Sequence, residues 1–270
     1  MWKLLFYTII FIQICYCGFE RTETGVRPFS LGYAYTGLAN DVWAISYNPA
    51  GLSQLIQNQI GLFYSPQPYG LSELSTITAA VGMPFNFCAV GFSLRKFGFE
   101  LYHEYSASVS AAKNILSLNF GINLNYYNLH IQNYGSASSL GIDLGVLVKT
   151  DNKFSGGIFL RNINSPTIGK AREKIPQTFT VGFSYSPLQK CTMNFDLQKE
   201  TSFEVSPRFG FEYWLIEALA IRGGWMNIPA KYTAGIGLKF MQITFDYGFD
   251  SQQDLGWTHC FSLMISWGEK

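Results

Sequence analysis

The residues with the chemistry to act on a ligand are few: three histidines, five cysteines and a thin scatter of charged side chains. His103, His130 and His259 lie far apart and show no i, i+4 pairing, and Cys88, Cys191 and Cys260 have no metal-ligand spacing, so neither a metal centre nor a cofactor is expected. No glycine-rich phosphate loop and no Gly-x-Ser-x-Gly elbow occurs. Ser262 and Ser266 stand near His259 in sequence, but strand parity turns them to the opposite face, so the chain reads as a non-enzyme. What remains is a set of charges, Arg95, Asp143, Arg161, Asp196, Arg208, Glu212, Arg222, Lys239 and Asp246, that all fall by parity opposite an apolar stripe. Two readings stay open. The charges neutralise one another in a network that fixes register, or one of the four arginines offers its guanidinium fork to a carboxylate headgroup.

The elements that must position these charges are strands. In 116–126 the even positions run Leu116, Leu118, Phe120, Ile122, Leu124, Tyr126, and the odd ones Ser117, Asn119, Gly121, Asn123, Asn125. The same period of two recurs in 179–185, 192–198, 232–240 and 243–249. Strands are expected at about 57–65, 73–83, 87–96, 101–112, 115–131, 139–149, 154–161, 176–186, 191–198, 206–214, 218–226, 231–240, 242–249 and 257–267. Periodicity alone does not say whether the apolar stripe closes a soluble core or meets lipid. Composition helps: charged residues are 14% of the chain, against roughly 25% in soluble domains, and aromatics reach 17%. No window after residue 17 is apolar enough for a membrane helix. The connections alternate between tight turns and longer loops, the longest about 162–175, as outer-membrane barrels do. The expected fold is all-β, a transmembrane antiparallel β-barrel of about 14 strands. A net charge of +1 with no Lys/Arg run argues against nucleic acid.

Residues 25–52 break the pattern. Gly32, Gly37, Gly51, Pro28 and Pro49 cut the segment into pieces too short for ordinary elements, yet Phe29, Leu31, Tyr33, Val42, Trp43 and Tyr47 are too apolar for a solvated linker. Such a segment fills a hole. Asn40 and Asp41 can cap a helical turn or two over 41–47, which Pro49 ends.

Arg27-Pro28-x-x-Leu31-Gly32-x-Ala34-x-x-x-Leu38-Ala39-Asn40-Asp41, followed by Tyr47-Asn48-Pro49-Ala50-Gly51-Leu52, resembles the N-terminal signature of the outer-membrane long-chain fatty acid transporters (FadL-like), and most closely their PorV-like branch. Gly210-Phe211-Glu212-Tyr213-Trp214, Leu219 to Gly224 and Leu255-Gly256-Trp257-Thr258-His259 resemble the PorV-like C-terminal half. The resemblance implies that residues 18–56 form a plug, or hatch, inside a barrel of residues 57–270. It also implies that Asn48, Pro49, Ala50 and Gly51 lie on the path of an apolar ligand, with Phe29, Leu31, Tyr33, Trp43 and Tyr47 either lining its pocket or simply packing the wall.

Residues 1–17 read as a signal peptide: Lys3, an apolar run from Leu4 to Ile14, and Cys15-Tyr16-Cys17 before Gly18. The expected location is the bacterial outer membrane, with lipid around a monomeric barrel. The expected function is binding or passing a hydrophobic small molecule such as a fatty acid. The alternative is a non-transporting partner of secretion-system proteins, the type IX association of the PorV-like branch.

Overall fold

The computed structural model describes residues 18–20, 24–150 and 153–268; the signal-peptide reading of 1–17 lies outside the described residues. Fourteen antiparallel strands close into a barrel. They are β1 (Asn58–Ser65), β2 (Thr76–Pro84), β3 (Ala89–Gly98), β4 (Tyr102–Ile115), β5 (Leu118–Ile131), β6 (Gly135–Lys149) and β7 (Phe154–Arg161). A two-stranded ribbon, β8 (Thr167–Ile168) and β9 (Glu173–Lys174), interrupts the series. The wall resumes with β10 (Thr178–Leu188), β11 (Cys191–Glu200), β12 (Val205–Ile216), β13 (Leu219–Met226), β14 (Lys231–Phe240), β15 (Ile243–Gln252) and β16 (Gly256–Trp267). β1 and β16 pair from Asn58↔Trp267 to Tyr64↔Phe261, which closes the ladder so that neither strand is left as an edge.

The direction of the side chains settles what periodicity left open. Along β5, Asn119, Gly121, Asn123, Asn125 and Tyr127 are buried, while Leu118, Phe120, Ile122, Leu124 and Tyr126 are exposed. The polar face is inside and the oily face outside, the inverse of a soluble sandwich and the arrangement of a transmembrane barrel.

Many strand ends shift by a few residues from expectation, and three regions show the physical reason. β5 begins at Leu118 because Leu116 takes a left-handed φ of 59° in the tight turn after β4. β6 begins at Gly135, so the loop expected over 132–138 shrinks to a turn; the Gly-Ser-Ala-Ser-Ser stretch ladders without an apolar stripe. Residues 162–177 carry the β8–β9 ribbon and fold over the interior, where Ile168 and Ile175 pack with Phe19 and Tyr127. The turn-and-loop asymmetry therefore rests mainly on 66–75 and 162–177.

Residues 24–55 occupy the inside of the barrel. They form α1 (Val26–Ser30), α2 (Ala44–Tyr47) and a 3-10 helix at Pro49–Gln54. Val26, Leu31, Tyr35, Val42, Trp43 and Leu52 are almost wholly buried, and they make the apolar core of the molecule. The expected capping by Asn40 and Asp41 holds only in part. Asp41 Oδ1 accepts from the Trp43 N–H at 2.9 Å in the turn before α2, but Asn40 Oδ1 is taken by Arg27 Nη1 at 2.7 Å and α2 itself has no side-chain cap. The Asn48 side chain caps the 3-10 helix by accepting from the Ala50 N–H at 3.2 Å. The wall meets it with bare backbone: a Cβ added at Gly121 would lie 2.2 Å from Ala50 N, and one at Gly145 2.2 Å from Asn48 Oδ1. Gly61, Gly91, Gly157, Gly210 and Gly235 are similarly tight on other strands, so a belt of inward glycines girdles the segment.

Candidate functional site

Two separate cavities flank the inner segment, sharing no lining residue. The cavity on the loop side measures about 310 Å³. Its floor is Phe29 and Tyr33, whose rings meet edge to face at 5.4 Å, and Phe63, Tyr69, Met226 and Ile228 add apolar wall. Polar groups enter from the strand ends. Lys231 Nζ lies 3.0 Å from Asp250 Oδ2 and 5.3 Å from the Tyr69 ring centroid. The Arg208 guanidinium sits 5.8 Å from the Tyr33 ring centroid. Arg208 is buried with no hydrogen-bond partner for Nε, and Asp250 Oδ1 and Thr258 Oγ1 also lack partners. Such orphaned groups are costly in a dry interior and mark a place where a ligand or water completes the hydrogen bonding.

On the turn side, a larger cavity of about 650 Å³ opens beneath the segment, lined by Arg27, Asp41, Trp43, Trp214, Arg222 and Lys239 among others. Its roof is a row of alternating charges. Arg27 grips Glu212 with both prongs, Nε to Oε2 and Nη2 to Oε1, each at 2.9 Å. Arg222 joins Glu212 Oε2 at 2.7 Å to Asp246 Oδ1 at 2.7 Å, and Arg27 Nη1 also reaches Asp41 Oδ2 at 3.1 Å. Arg27 and Asp41 belong to the inner segment; Glu212, Arg222 and Asp246 belong to β12, β13 and β15. The row therefore ties segment to wall. Beside it, burial pushes the Tyr35 phenol well above its ordinary range, against the opposing pull of Arg27, so Tyr35 stays neutral and hydrogen-bonds Arg27 Nη1 at 3.1 Å.

The nine parity-assigned charges divide in the structure. Glu212, Arg222 and Asp246 form the charge row. Asp196 Oδ2 accepts from the backbone N–H groups of Tyr35 and Thr36 at 3.1 and 2.9 Å, and Arg161 donates to Ser46 O at 2.7 Å. Asp143 gathers Asn123, Asn125 and the Asn162 N–H, while Arg95 Nη1 stands 3.9 Å from Glu104 Oε2. Lys239 is exposed at the turn-side mouth. Arg208 alone of the four arginines borders the loop-side cavity.

The inner-segment residues divide too. Phe29 and Tyr33 line the loop-side cavity. Leu31 packs on Gly210 and Gly224, Trp43 on Gly25 and Gly61, and Tyr47 against the Tyr35 ring at 5.5 Å. Asn48 Nδ2 donates to Thr36 O and Val146 O, both at 3.0 Å, and Pro49, Ala50 and Gly51 are buried against neighbouring backbone. Sequence reasoning missed Arg27 and Asp41 as charge partners. A signal was present: Arg27 is the one Lys or Arg between residues 24 and 94, set in an apolar stretch.

No protein-family model matches the chain, and no curated protein matches it. Solved structures do. The ΔS2 mutant of the monoaromatic hydrocarbon channel TodX superposes with a TM-score of 0.66 at 11% identity over 92% of this chain and 99% of that one. The Pseudomonas putida toluene transporter TodX gives 0.61 at 11% over 88% and 96%. A Pseudomonas aeruginosa FadL homologue gives 0.63 at 10% over 90% and 98%. At identities this low the likeness carries architecture: the chain has the transmembrane-barrel fold of the hydrocarbon channel TodX and of a FadL homologue.

Proposed function

We propose that this chain is a monomeric outer-membrane barrel that binds a hydrophobic small molecule and passes it across the membrane, with no enzymatic step. Residues 1–17 direct export, residues 18–56 act as the plug, and residues 57–270 form the barrel. The observation that carries this reading is the loop-side cavity, floored by Phe29 and Tyr33 of the inner segment, with Phe63, Tyr69, Met226 and Ile228 on its wall. The fold it shares with channels for hydrocarbons supports the same reading. The test is binding and uptake of radiolabelled pentylbenzene by delipidated protein in proteoliposomes. Saturable binding and uptake above protein-free liposomes are expected; a barrel that neither binds nor passes the probe would sink the proposal.

The PorV-like alternative, a partner of secretion-system proteins, needs a broad docking face. Only 66–75 and 162–177 are long connections, and residues 168 and 175 of the latter are turned inward. A stable protein complex buries on the order of 800 Å² per partner, and short turns give little of it. Pull-down from native membranes separates the readings, since a stoichiometric protein partner supports the alternative.

A further inference from the structure

The inner segment is approached from the loop side by residues 18–20. Phe19 is 2% exposed, its ring centroid lies 4.9 Å from that of Tyr127, and Ile168 and Ile175 complete the cluster, so residue 18 is held in place by its neighbour. Gly18 in turn presses on the first inward residues of β4. A Cβ added there would collide with Glu104 Oε1 and Tyr102 Oη, so only bare main chain comes this close.

Glu104 is a carboxylate on the inner face of β4 and is 2% exposed. A charge so buried needs partners that replace its lost hydration. Tyr102 Oη donates to Oε1 at 2.8 Å. Among the described residues, Arg95 is its one ion-pair partner, and Nη1 stands 3.9 Å from Oε2, beyond hydrogen-bonding reach. The Gly18 main chain therefore arrives at the oxygen away from Arg95, beside a carboxylate that can accept more.

In the uncut chain the Gly18 nitrogen is an amide with a single N–H. A cut between Cys17 and Gly18 turns the same nitrogen into an amine with a pKa of about 7.7–8.0, mostly protonated at neutral pH and carrying several donors. We propose that removing the leader completes this site: the α-ammonium of Gly18 pairs with Glu104 and latches the start of the inner segment to β4. This rests on the reading of residues 1–17 as an export signal given above, and gives the cut a role that export alone does not need. The segment is then pinned at both ends, by the ammonium on the loop side and by its run into β1 on the turn side.

Acetylation of the α-amine at neutral pH with an isotopically labelled reagent tests it, read by mass spectrometry of the N-terminal peptide. The sample is mature protein exported from the full chain and held in lipid nanodiscs, each variant being checked for the gel mobility of a folded barrel. The mature chain is expected to begin at Gly18. Its α-amine should react about tenfold more slowly in the folded barrel than after unfolding, the size of one hydrogen bond to a charged group. Glu104→Gln is expected to abolish that difference, and Glu100→Gln, exposed in the β3–β4 connection, to leave it unchanged. An alanine inserted ahead of Gly18 displaces the ammonium while keeping Glu104, and should also react fast. A chain that begins at another residue removes the premise of the cut and the latch with it, leaving the barrel and its cavity standing. Equal rates in folded and unfolded wild type overturn the latch alone. Slow reaction that persists in Glu104→Gln does the same, because burial then suffices to shield the amine. Should Glu104→Gln fail to fold, the insertion variant decides, and slow reaction there overturns the proposal.

Discussion

The glycine belt yields a prediction whose sign is opposite to the usual rule. Replacing a strand glycine by alanine ordinarily stabilises by about 0.5–1 kcal/mol, because the unfolded chain loses freedom. At Gly121 the new methyl would lie 2.2 Å from Ala50 N and 2.4 Å from Pro49 C, and both are backbone atoms that no rotamer change can move. Relieving that contact shifts the inner segment by roughly 1 Å, and overpacking of this kind costs about 1–3 kcal/mol. The difference favours opening of the segment by about 1–2 kcal/mol, a factor of 5–30 in its open population. Gly223 supplies the control, since its Cβ would meet nothing nearer than Thr233 O at 4.0 Å. Hydrogen exchange of the backbone amides of residues 44–55 in the folded barrel reads the effect directly. Gly121→Ala should exchange there about 5–30 times faster than the wild type, and Gly223→Ala should not. Exchange unchanged within twofold in Gly121→Ala, or equally accelerated in Gly223→Ala, would refute the reasoning.

Asn48→Ala removes the donor that serves the buried Thr36 O and the part-buried Val146 O, so it should loosen the segment by about 1–3 kcal/mol; protease sensitivity of residues 36–50 checks it. Trp43→Ala deletes a side chain that is 1% exposed and packed edge-on to Phe63 at 6.5 Å, at a cost of about 3–5 kcal/mol, visible as a lower melting temperature of the folded barrel. In folded mature protein, maleimide should label the half-buried Cys88 and leave the wholly buried Cys260 unmodified until denaturation; mass spectrometry of the labelled peptides decides it.

The strands were legible because each repeats one physical signal, apolar on one face and polar on the other. All fourteen appear near their expected places, and errors gather where that signal stops. Above the apolar belt, Gly135 to Ser139 need no oily stripe, so their pairing left no periodic trace. The fold of residues 162–177 was hidden for a related reason, since Ile168 and Ile175 find their partners in Phe19 and Tyr127, remote in sequence. The inner segment announced itself as buried through its mixture of breakers and aromatics, but which side chains face a cavity depends on where it meets the wall. Phe29 and Tyr33 turn toward open space while Leu31, between them, sits on Gly210 and Gly224. Parity put the nine charges on the inner face, yet could not pair them, because their partners include Arg27 and Asp41 on an irregular stretch with no parity to read.

The charge row bears on how anything could pass from one cavity to the other. The two cavities share no residue, and a straight path between them requires the inner segment to part from β12, where Arg27 holds Glu212 at 2.9 Å through both prongs. Breaking a buried, hydrogen-bonded ion pair costs about 3–5 kcal/mol, and each 1.4 kcal/mol is a factor of ten, so a parted state would be populated at about one part in 10² to 10⁴. The intact barrel should therefore hold a closed baseline in planar-bilayer recordings, with rare brief openings. Glu212→Gln keeps the shape of the side chain but leaves Arg27 and Arg222 facing each other without the charge between them. Asp41 and Asp246 hold them only from the far sides. Openings should then become at least tenfold more frequent, whereas Lys239→Gln, which alters a charge exposed at the mouth and outside the row, should leave them as they are. A wild-type barrel with steady conductance would show that the row seals nothing, and a silent Glu212→Gln would show that the glycine belt, rather than the ion pairs, keeps the segment in place.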